Sequence, residues 1–297
     1  MVYQATVVSR LIVINHSGQP TRATPMTRSA ASFTYSTRAL VLRSRPLGEK
    51  DRLLTLFSPE RGRISAVAKG ARGTRSKLAS ASQPYILGRF MLAKGRSLDI
   101  VTQVQIEEPH AHLAGDLLKA GWAACACELA GAVAEELPDA EGWQILAVTL
   151  AALNDASDDG ATEATGAWME IQWLRHQGYA PTVGVCVDCG NKISASADSP
   201  DSRVAFSARH GGTLCSACRH TDSSVLVVSA AALRAMHRLE RSLRPPPNLG
   251  LAPSPSGELF VCLARSLAQH LEGRLRSRDF LEEVRAARAL GRSPATG

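Results

Sequence analysis

The sequence predicts an α+β multidomain protein: an N-terminal OB-fold β-barrel, then a C-terminal α-helical domain with an inserted four-cysteine zinc module. Three observations predict it. Short apolar segments separated by turn residues occupy residues 38–108, helical apolar periodicity follows from His112, and two C-x-x-C pairs interrupt the helical part. A chain of 297 residues is also long for a single compact domain.

Five strands are predicted in the first part, because the apolar segments are short and Gly- or Pro-containing turns separate them. These segments are residues 39–43, 53–57, 64–68, 86–93 and 98–104. No helix-length crossover separates most of them, which favours a small closed barrel over a parallel sheet. An OB-type barrel of about five strands fits this pattern.

Helices are predicted in the second part at residues 112–137, 143–153, 165–176, 229–243, 258–275 and 280–290. Gly178 and Pro181 form a helix stop. The predicted domains are 1–37, a disordered extension or mis-called start with Met26 as the alternative start; 38–110, the OB-fold barrel; 111–182, the first helical part; 183–222, the zinc module; and 223–297, the second helical part.

The two C-x-x-C pairs are the sharpest chemical signal: Cys186, Cys189, Cys215 and Cys218. This spacing is typical of a tetrahedral Zn²⁺ site, and four thiolates leave no position for water, so we expect one structural ion. Iron in a rubredoxin-like site, incidental buried pairs and redox-active pairs are the alternatives. His210 and His220 rank lower as substitute ligands, because four thiolates are available.

The remaining cysteines are Cys125, Cys127 and Cys262. They lie in apolar helical patterns, and Cys125 and Cys127 point to different helix faces. We expect all three to be small core residues.

Charge is segregated along the chain. Residues 1–110 hold 17 basic and 6 acidic residues, residues 111–185 hold 2 and 11, and residues 186–297 hold 15 and 10, for a net charge of +7. This distribution indicates one region that meets a polyanion and another that does not.

Cations are dense on the predicted barrel, and a solvated polar rim is the alternative interpretation for each of them singly. Together they indicate nucleic-acid binding. The candidate nucleic-acid-binding residues are Arg43, Arg45, Lys50, Arg52, Arg61, Arg63, Lys69, Arg72, Arg75, Lys77 and Arg89, with Lys94 and Arg96 beyond them. Phe57, Tyr85 and Phe90 are as consistent with core as with base stacking, so we expect backbone-dominated, salt-sensitive binding.

A family resemblance rests on ALVLRSRPLGEKDRLLTLF from Ala39, GRISAVAKGAR from Gly62 and SKL from Ser76. These segments, and the spacing of both C-x-x-C pairs, resemble the RecO family of bacterial DNA repair and recombination proteins over about 250 residues. Residues 1–37 fall outside the resemblance.

The resemblance implies an OB domain, a helical body and a zinc module. It also implies a recombination mediator of the RecF pathway that binds single- and double-stranded DNA, anneals complementary strands and, with RecR, helps RecA load onto DNA coated by single-strand-binding protein. We expect the helical body to bind the C-terminal tail of that protein through an apolar groove and a cation. Arg175 or the row Arg234, Arg238 and Arg241 are the candidates for that cation. A solvated face is the default interpretation of the row, and a contact with DNA or with a partner is the alternative.

No catalytic residue is predicted, since the sequence has no nucleophile elbow, nuclease-like carboxylate cluster or Walker loop. We therefore expect a non-enzymatic protein. No apolar run approaches the roughly 18 residues needed to span a bilayer, and the short apolar stretch from Leu11 to Ile14 is not a signal peptide, so we expect a cytoplasmic protein without membrane contact. The resemblance adds the expectation that it is nucleoid-associated. An RNA-binding OB/zinc-ribbon protein of the translation apparatus and a zinc-stabilised protein-interaction scaffold are the alternative functions.

Overall fold

The computed structural model describes residues 33–73, 76–133, 136–193, 202–271 and 275–291. Most of the predicted extension, including Met26, lies outside the described residues, and so does Arg75. Across the helices that are described, none combines the length and apolar character that a bilayer crossing requires.

Five strands form a closed barrel in the order β1-β2-β3-β5-β4, with β4 pairing back onto β1. All neighbours are antiparallel except β3 and β5, and a short helix α1 connects β3 to β4. This arrangement confirms the predicted OB-type barrel. The elements are β1 Thr34–Leu47, β2 Asp51–Ser58, β3 Gly62–Ala68, α1 Lys77–Ala81, β4 Leu87–Ala93 and β5 Asp99–Glu108.

The alternation of buried and partly exposed residues explains why these segments form the strands of a barrel. In β3, Ile64, Ala66 and Ala68 are buried while the residues between them are partly exposed, which is the period-two pattern of a strand. The inward side chains join Leu54 and Leu92 in one core inside the barrel.

The first strand begins earlier than predicted, which corrects the boundary between residues 37 and 38. Tyr35 and Thr37 are buried on β1. The hydroxyls of Thr37 and Ser58 lie 2.7 Å apart, and each is 3.0 Å from the Glu60 carboxylate. Polar side chains satisfied inside the barrel made this segment look unpatterned.

Within the described residues after the barrel, six longer helices are present: α2 Leu117–Val133, α3 Ala140–Asp155, α4 Asp159–His176, α5 Ala230–Arg241, α6 Pro253–His270 and α7 Arg276–Gly291. The single helix predicted over 112–137 is wrong, because a 3-10 turn Ala111–Gly115 precedes α2. Asp116 separates the two, and its carboxylate accepts hydrogen bonds from the backbone N–H groups of Leu118 (2.8 Å) and Lys119 (3.0 Å).

The helical core is packed around Trp122 and Trp173, both fully buried. Gly166 on α4 lies against the Trp122 ring so closely that a Cβ there would be 2.3 Å from ring carbons. This glycine is therefore required by the close approach of α2 and α4.

The barrel docks onto the helical body through part of its outer surface. Leu40, Leu42 and Phe57 belong to the same hydrophobic cluster as α2 and α3. The rings of Phe57 and Trp143 are 6.2 Å apart. Phe57 is thus an interdomain core residue, and Phe90 is buried inside the barrel, so neither is available to stack on a base.

A small antiparallel sheet is inserted between α4 and α5. Its strands are β6 Arg203–Ser207, β7 Gly212–Leu214 and β8 Leu226–Ser229, in the order β7-β6-β8. The four predicted ligand cysteines lie before and after the β6–β7 hairpin.

Candidate metal centre and nucleic-acid surface

The side chains of the four predicted ligand cysteines lie close together. The Sγ atoms of Cys186, Cys189, Cys215 and Cys218 all lie within 4.8 Å of one another. The Cys189 and Cys215 sulfurs are 3.7 Å apart. Tetrahedral bonds of about 2.3 Å from Zn²⁺ place two thiolate sulfurs about 3.8 Å apart, whereas a disulfide needs about 2.05 Å. The donor set and its spacing fit a tetrahedral metal ion, and the ion's identity is a separate question.

The first knuckle is shaped by its backbone. The Cys186 N–H donates to the Asn191 carbonyl at 2.8 Å, and the Gly190 N–H donates to the Cys186 carbonyl at 2.9 Å. Gly190 has φ of 73°, a left-handed conformation that glycine adopts without steric cost. This tight turn directs both thiols of the pair toward the same side.

The second knuckle follows β7. The N–H groups of Cys218 and Arg219 donate to the Cys215 carbonyl at 3.1 and 3.0 Å. The Val187 N–H donates to the Thr213 carbonyl at 3.0 Å, which fastens the first knuckle to β7. Sequence spacing alone could not show how the knuckles meet, but the hairpin between them brings them together.

A carboxylate that the sequence interpretation missed links the two knuckles. Asp188 contacts His210 Nδ1 at 2.8 Å and accepts a hydrogen bond from the Thr221 hydroxyl at 2.7 Å. Neither His210 nor His220 belongs to the metal-ligand group that the described residues form. His210 instead orients Asp188.

The electrostatics of the site differ from one thiol to the next. Backbone N–H groups, that of Cys215 first and those of Cys189 and Asp188 after it, lower the pKa of Cys186 to about 6. Positive ends of N–H dipoles stabilise the anionic sulfur that a metal requires.

Two other thiols of the site have raised pKa values. Hydrogen bonding with the sulfurs of Cys215 and Cys189 raises the pKa of Cys218 to about 12. The Asn191 N–H lowers the pKa of Cys189, but hydrogen bonding with the Cys186 sulfur and desolvation outweigh it, so that pKa is raised as well.

The other three cysteines are core residues, as predicted. Cys125, Cys127 and Cys262 are buried. Burial raises the pKa of Cys125 to about 11 and those of Cys127 and Cys262 to about 12. They are protonated at neutral pH and chemically quiet.

Most of the predicted DNA-binding cations are exposed: Arg43, Arg45, Lys50, Arg61, Lys69, Arg72, Lys77 and Arg89. Arg52 and Arg63 are half-buried, with guanidinium donors to the Ser44 hydroxyl and the Gly131 carbonyl. Arg75 lies outside the described residues. Within the described ranges, Arg89 is the one exposed member with a carboxylate, Glu107, at salt-bridge distance (3.9 Å).

Backbone contacts gather several of these cations at one end of the barrel. The Arg72 guanidinium donates to the Gly48 carbonyl at 2.6 Å, and its N–H donates to the Lys50 carbonyl at 3.0 Å. The β1–β2 turn and the loop after β3 are thereby joined. Arg45, Lys50, Lys69 and Arg72 come together on this end.

The helical body presents its cations differently. Arg175 is occupied, because it contacts Glu141 at 2.5 Å. Arg234, Arg238 and Arg241 are exposed on α5. Arg234 lines an apolar cavity of about 150 Å³ between α5 and the cysteine-containing insert, and no described carboxylate is at salt-bridge distance from it.

A wide cleft separates the barrel face from the helical body. It measures about 690 Å³ and is lined by Arg43 and Arg63 of the barrel and by Arg276 at the start of α7. Glu128 and Glu136 also line it. Sequence reasoning missed Arg276, because only tertiary packing brings α7 to the barrel.

Comparisons with known proteins agree across most of the chain. Residues 32–110 match the family model described as Recombination protein O N terminal, and residues 114–279 match Recombination protein O C terminal. The chain is 31% identical to "DNA repair protein RecO" of Heliobacterium modesticaldum over 84% of this chain and 90% of that protein. It is 33% identical to the Symbiobacterium thermophilum protein (86% and 99%) and 33% identical to that of Synechococcus elongatus (85% and 96%), both with the same name.

Proposed function

Since the chain belongs to the RecO family of DNA repair and recombination proteins, we propose that it is a non-enzymatic mediator that binds single- and double-stranded DNA and anneals complementary strands. With RecR, it would promote the loading of RecA onto DNA coated by single-strand-binding protein. The family matches do not favour the RNA-binding alternative or the scaffold alternative.

One observation supports DNA binding by the barrel above the others. Of the eight exposed candidate cations, seven have no carboxylate at salt-bridge distance among the described residues, and Arg89 is the exception. Four of the seven share one end of the barrel. Unpaired cations on a small barrel neutralise phosphates and release counterions, which supplies sequence-independent affinity.

The same cations explain how annealing would proceed. Two complementary strands repel each other through their phosphates, and a strand held by Arg45, Lys50 and Lys69 carries part of its charge neutralised. A second strand can then approach and pair. No bond is broken, so annealing needs no nucleotide hydrolysis and no catalytic group.

We propose that the four-cysteine site holds one structural Zn²⁺. The donor chemistry and the 3.7 Å sulfur separation support the assignment, and Zn²⁺ would supply folding stability there rather than reactivity. Together with the bound ion, the four cysteines would fasten the β6–β7 hairpin to the loop before it. The insert would therefore lose its order if the metal were removed.

We also propose a place for the acidic C-terminal tail of single-strand-binding protein. The cavity beside Arg234 combines apolar walls from Val183, Ile193, Val204 and Leu233 with a guanidinium that has no carboxylate at salt-bridge distance among the described residues. An apolar side chain of the tail would fill the cavity and its terminal carboxylate would pair with Arg234. Arg175 is the weaker candidate, because Glu141 already neutralises it.

A labelled tail peptide tests that placement. Arg234→Glu should abolish binding, whereas Arg241→Glu on the same helix should weaken it much less. Equal losses in both variants, or no loss in the first, would contradict the assignment.

The function itself is tested by measuring affinity for single-stranded DNA and RNA of one sequence, together with strand annealing in the absence of nucleotide. Preferred DNA binding with accelerated annealing supports the proposal. A preference for RNA argues for the RNA-binding alternative, and binding of neither nucleic acid argues for the scaffold. DNA binding without annealing contradicts the annealing part of the proposal.

A further inference from the structure

An arginine lies over an aromatic ring at one end of the barrel. The Arg61 guanidinium carbon is 4.0 Å from the centre of the Tyr35 ring. Arg61 occupies the β2–β3 turn and Tyr35 the start of β1. The two residues line a cavity of about 360 Å³, a volume typical of small-ligand pockets.

The ring is fixed in place. The Tyr35 hydroxyl donates to the Asp99 carboxylate at 2.5 Å, and the Gly95 N–H donates to the same carboxylate at 3.0 Å. Tyr35 and Asp99 are 9% and 5% exposed. The guanidinium therefore rests on a rigid support built from β1 and β5.

Arg61 is exposed, and no carboxylate in the described part of the chain is at salt-bridge distance from it. The acids around the cavity are largely engaged elsewhere. Glu60 accepts hydrogen bonds from Thr37 and Ser58, and Asp99 holds Tyr35, while Glu136 is exposed at the rim. The planar cation is thus available to a ligand that stacks.

We propose that Arg61, supported by Tyr35, is a stacking platform for one nucleobase of a bound single strand. Guanidinium planes stack on unpaired bases, and a guanidinium held over an aromatic ring loses little rotational freedom on binding. This inference rests on the proposed single-strand binding and adds a contact with the base to the contacts with phosphates.

The position of the platform suits a strand that crosses the barrel face. Arg63 and Ser65, which point outward from β3, line both this cavity and the cleft beside α2 and α7. A strand whose phosphates contact Arg43 and Arg63 in the cleft would reach Arg61 at the other side of β3. Lys94, at the cavity rim, lies 3.6 Å from the Asp99 carboxylate and is 62% exposed, so it would meet the next phosphate with its charge partly neutralised.

The test compares binding of oligo-dT with binding of an abasic deoxyribose-phosphate oligomer of equal length, using the full-length protein. Arg61→Lys keeps the charge and removes the planar group. Arg285→Lys is a matched control, because Arg285 lies 3.9 Å over the Phe260 ring in the helical body, away from the barrel.

Wild type should bind oligo-dT about fivefold or more tighter than the abasic oligomer, Arg61→Lys should lose most of that preference, and Arg285→Lys should keep it. An unchanged preference in Arg61→Lys overturns the platform while DNA binding stands. Equal wild-type affinity for both oligomers also overturns it. Failure of wild type to bind either oligomer overturns the proposed function together with the platform.

Discussion

The Asp188 carboxylate accepts a hydrogen bond of 2.7 Å from the Thr221 hydroxyl, which joins the first cysteine knuckle to the turn after the second. Hydrogen bonds around a metal site hold the ligand residues in position, and loss of such a hydrogen bond typically lowers metal affinity by about 10- to 100-fold. Thr221→Val should therefore weaken Zn²⁺ binding by about tenfold in a competition titration with a chelating dye. Thr221→Ser retains the hydroxyl and should bind as wild type; equal weakening in both would contradict this role.

Metal removal should disorder the insert and spare the barrel. The purified protein should contain one Zn²⁺ per chain, and chelation should increase amide hydrogen exchange around Cys186 and Cys215 while the strands β1 to β5 keep their protection. Cys189→Ser should reproduce the chelated state. Unchanged exchange near the cysteines after metal loss would show that the four thiolates do not organise the insert.

Substitution by alanine should destabilise the protein at Gly166 but not at Gly131. Alanine normally stabilises a helix interior by about 1 kcal/mol relative to glycine. Gly166→Ala would press a methyl group against Trp122, so it should lower the free energy of unfolding by about 1–3 kcal/mol.

At Gly131 the new Cβ meets only the Leu42 Cδ1, at 3.8 Å. Gly131→Ala should therefore be neutral or stabilising. Urea unfolding of both variants measures the difference, and similar midpoints would contradict the close approach of α2 and α4.

Stability in acid should depend on Asp116. Burial alone would raise its pKa, but hydrogen bonds from Arg288 and from the N–H groups of Lys119 and Leu118 outweigh burial, so the pKa lies below its ordinary value of 3.8. The charged form is favoured by folding; its contribution is present above pH 3.8 and is lost as the pH falls below it. The difference in free energy of unfolding between wild type and Asp116→Asn, measured by urea unfolding, should shrink as the pH falls below 3.8. A constant difference would show that the carboxylate charge contributes nothing.

Local sequence patterns predict most of the strands and helices, but they do not predict which residues distant in sequence contact one another. The strands with alternating apolar residues and the cysteine spacing both follow from short-range chemistry, and the structure has five strands in the barrel and a cluster of the four cysteines. The N-terminal half of β1 was missed, because Tyr35 and Thr37 are polar residues satisfied by partners distant in sequence.

A period-two pattern through Tyr35, Thr37 and Ala39 could have extended the predicted strand toward its N-terminus. The contacts around the candidate sites could not be predicted in this way. Nothing local could show that Tyr35 meets Asp99 or that Arg72 binds the Gly48 carbonyl, since such contacts depend on barrel closure.

The salt dependence of single-stranded DNA binding tests the central claim most directly. The barrel variant carries Arg45→Ala, Lys50→Ala and Lys69→Ala. A control variant removes the same charge from the cysteine-containing insert with Lys192→Ala, Arg209→Ala and Arg219→Ala, all at exposed positions. Each phosphate contact contributes about 0.7 to the slope of log affinity against log salt for a single strand, so the barrel variant should lose affinity and about two units of slope, and the control should keep its slope. An unchanged slope in the barrel variant, or equal losses in both, would contradict DNA binding by the barrel.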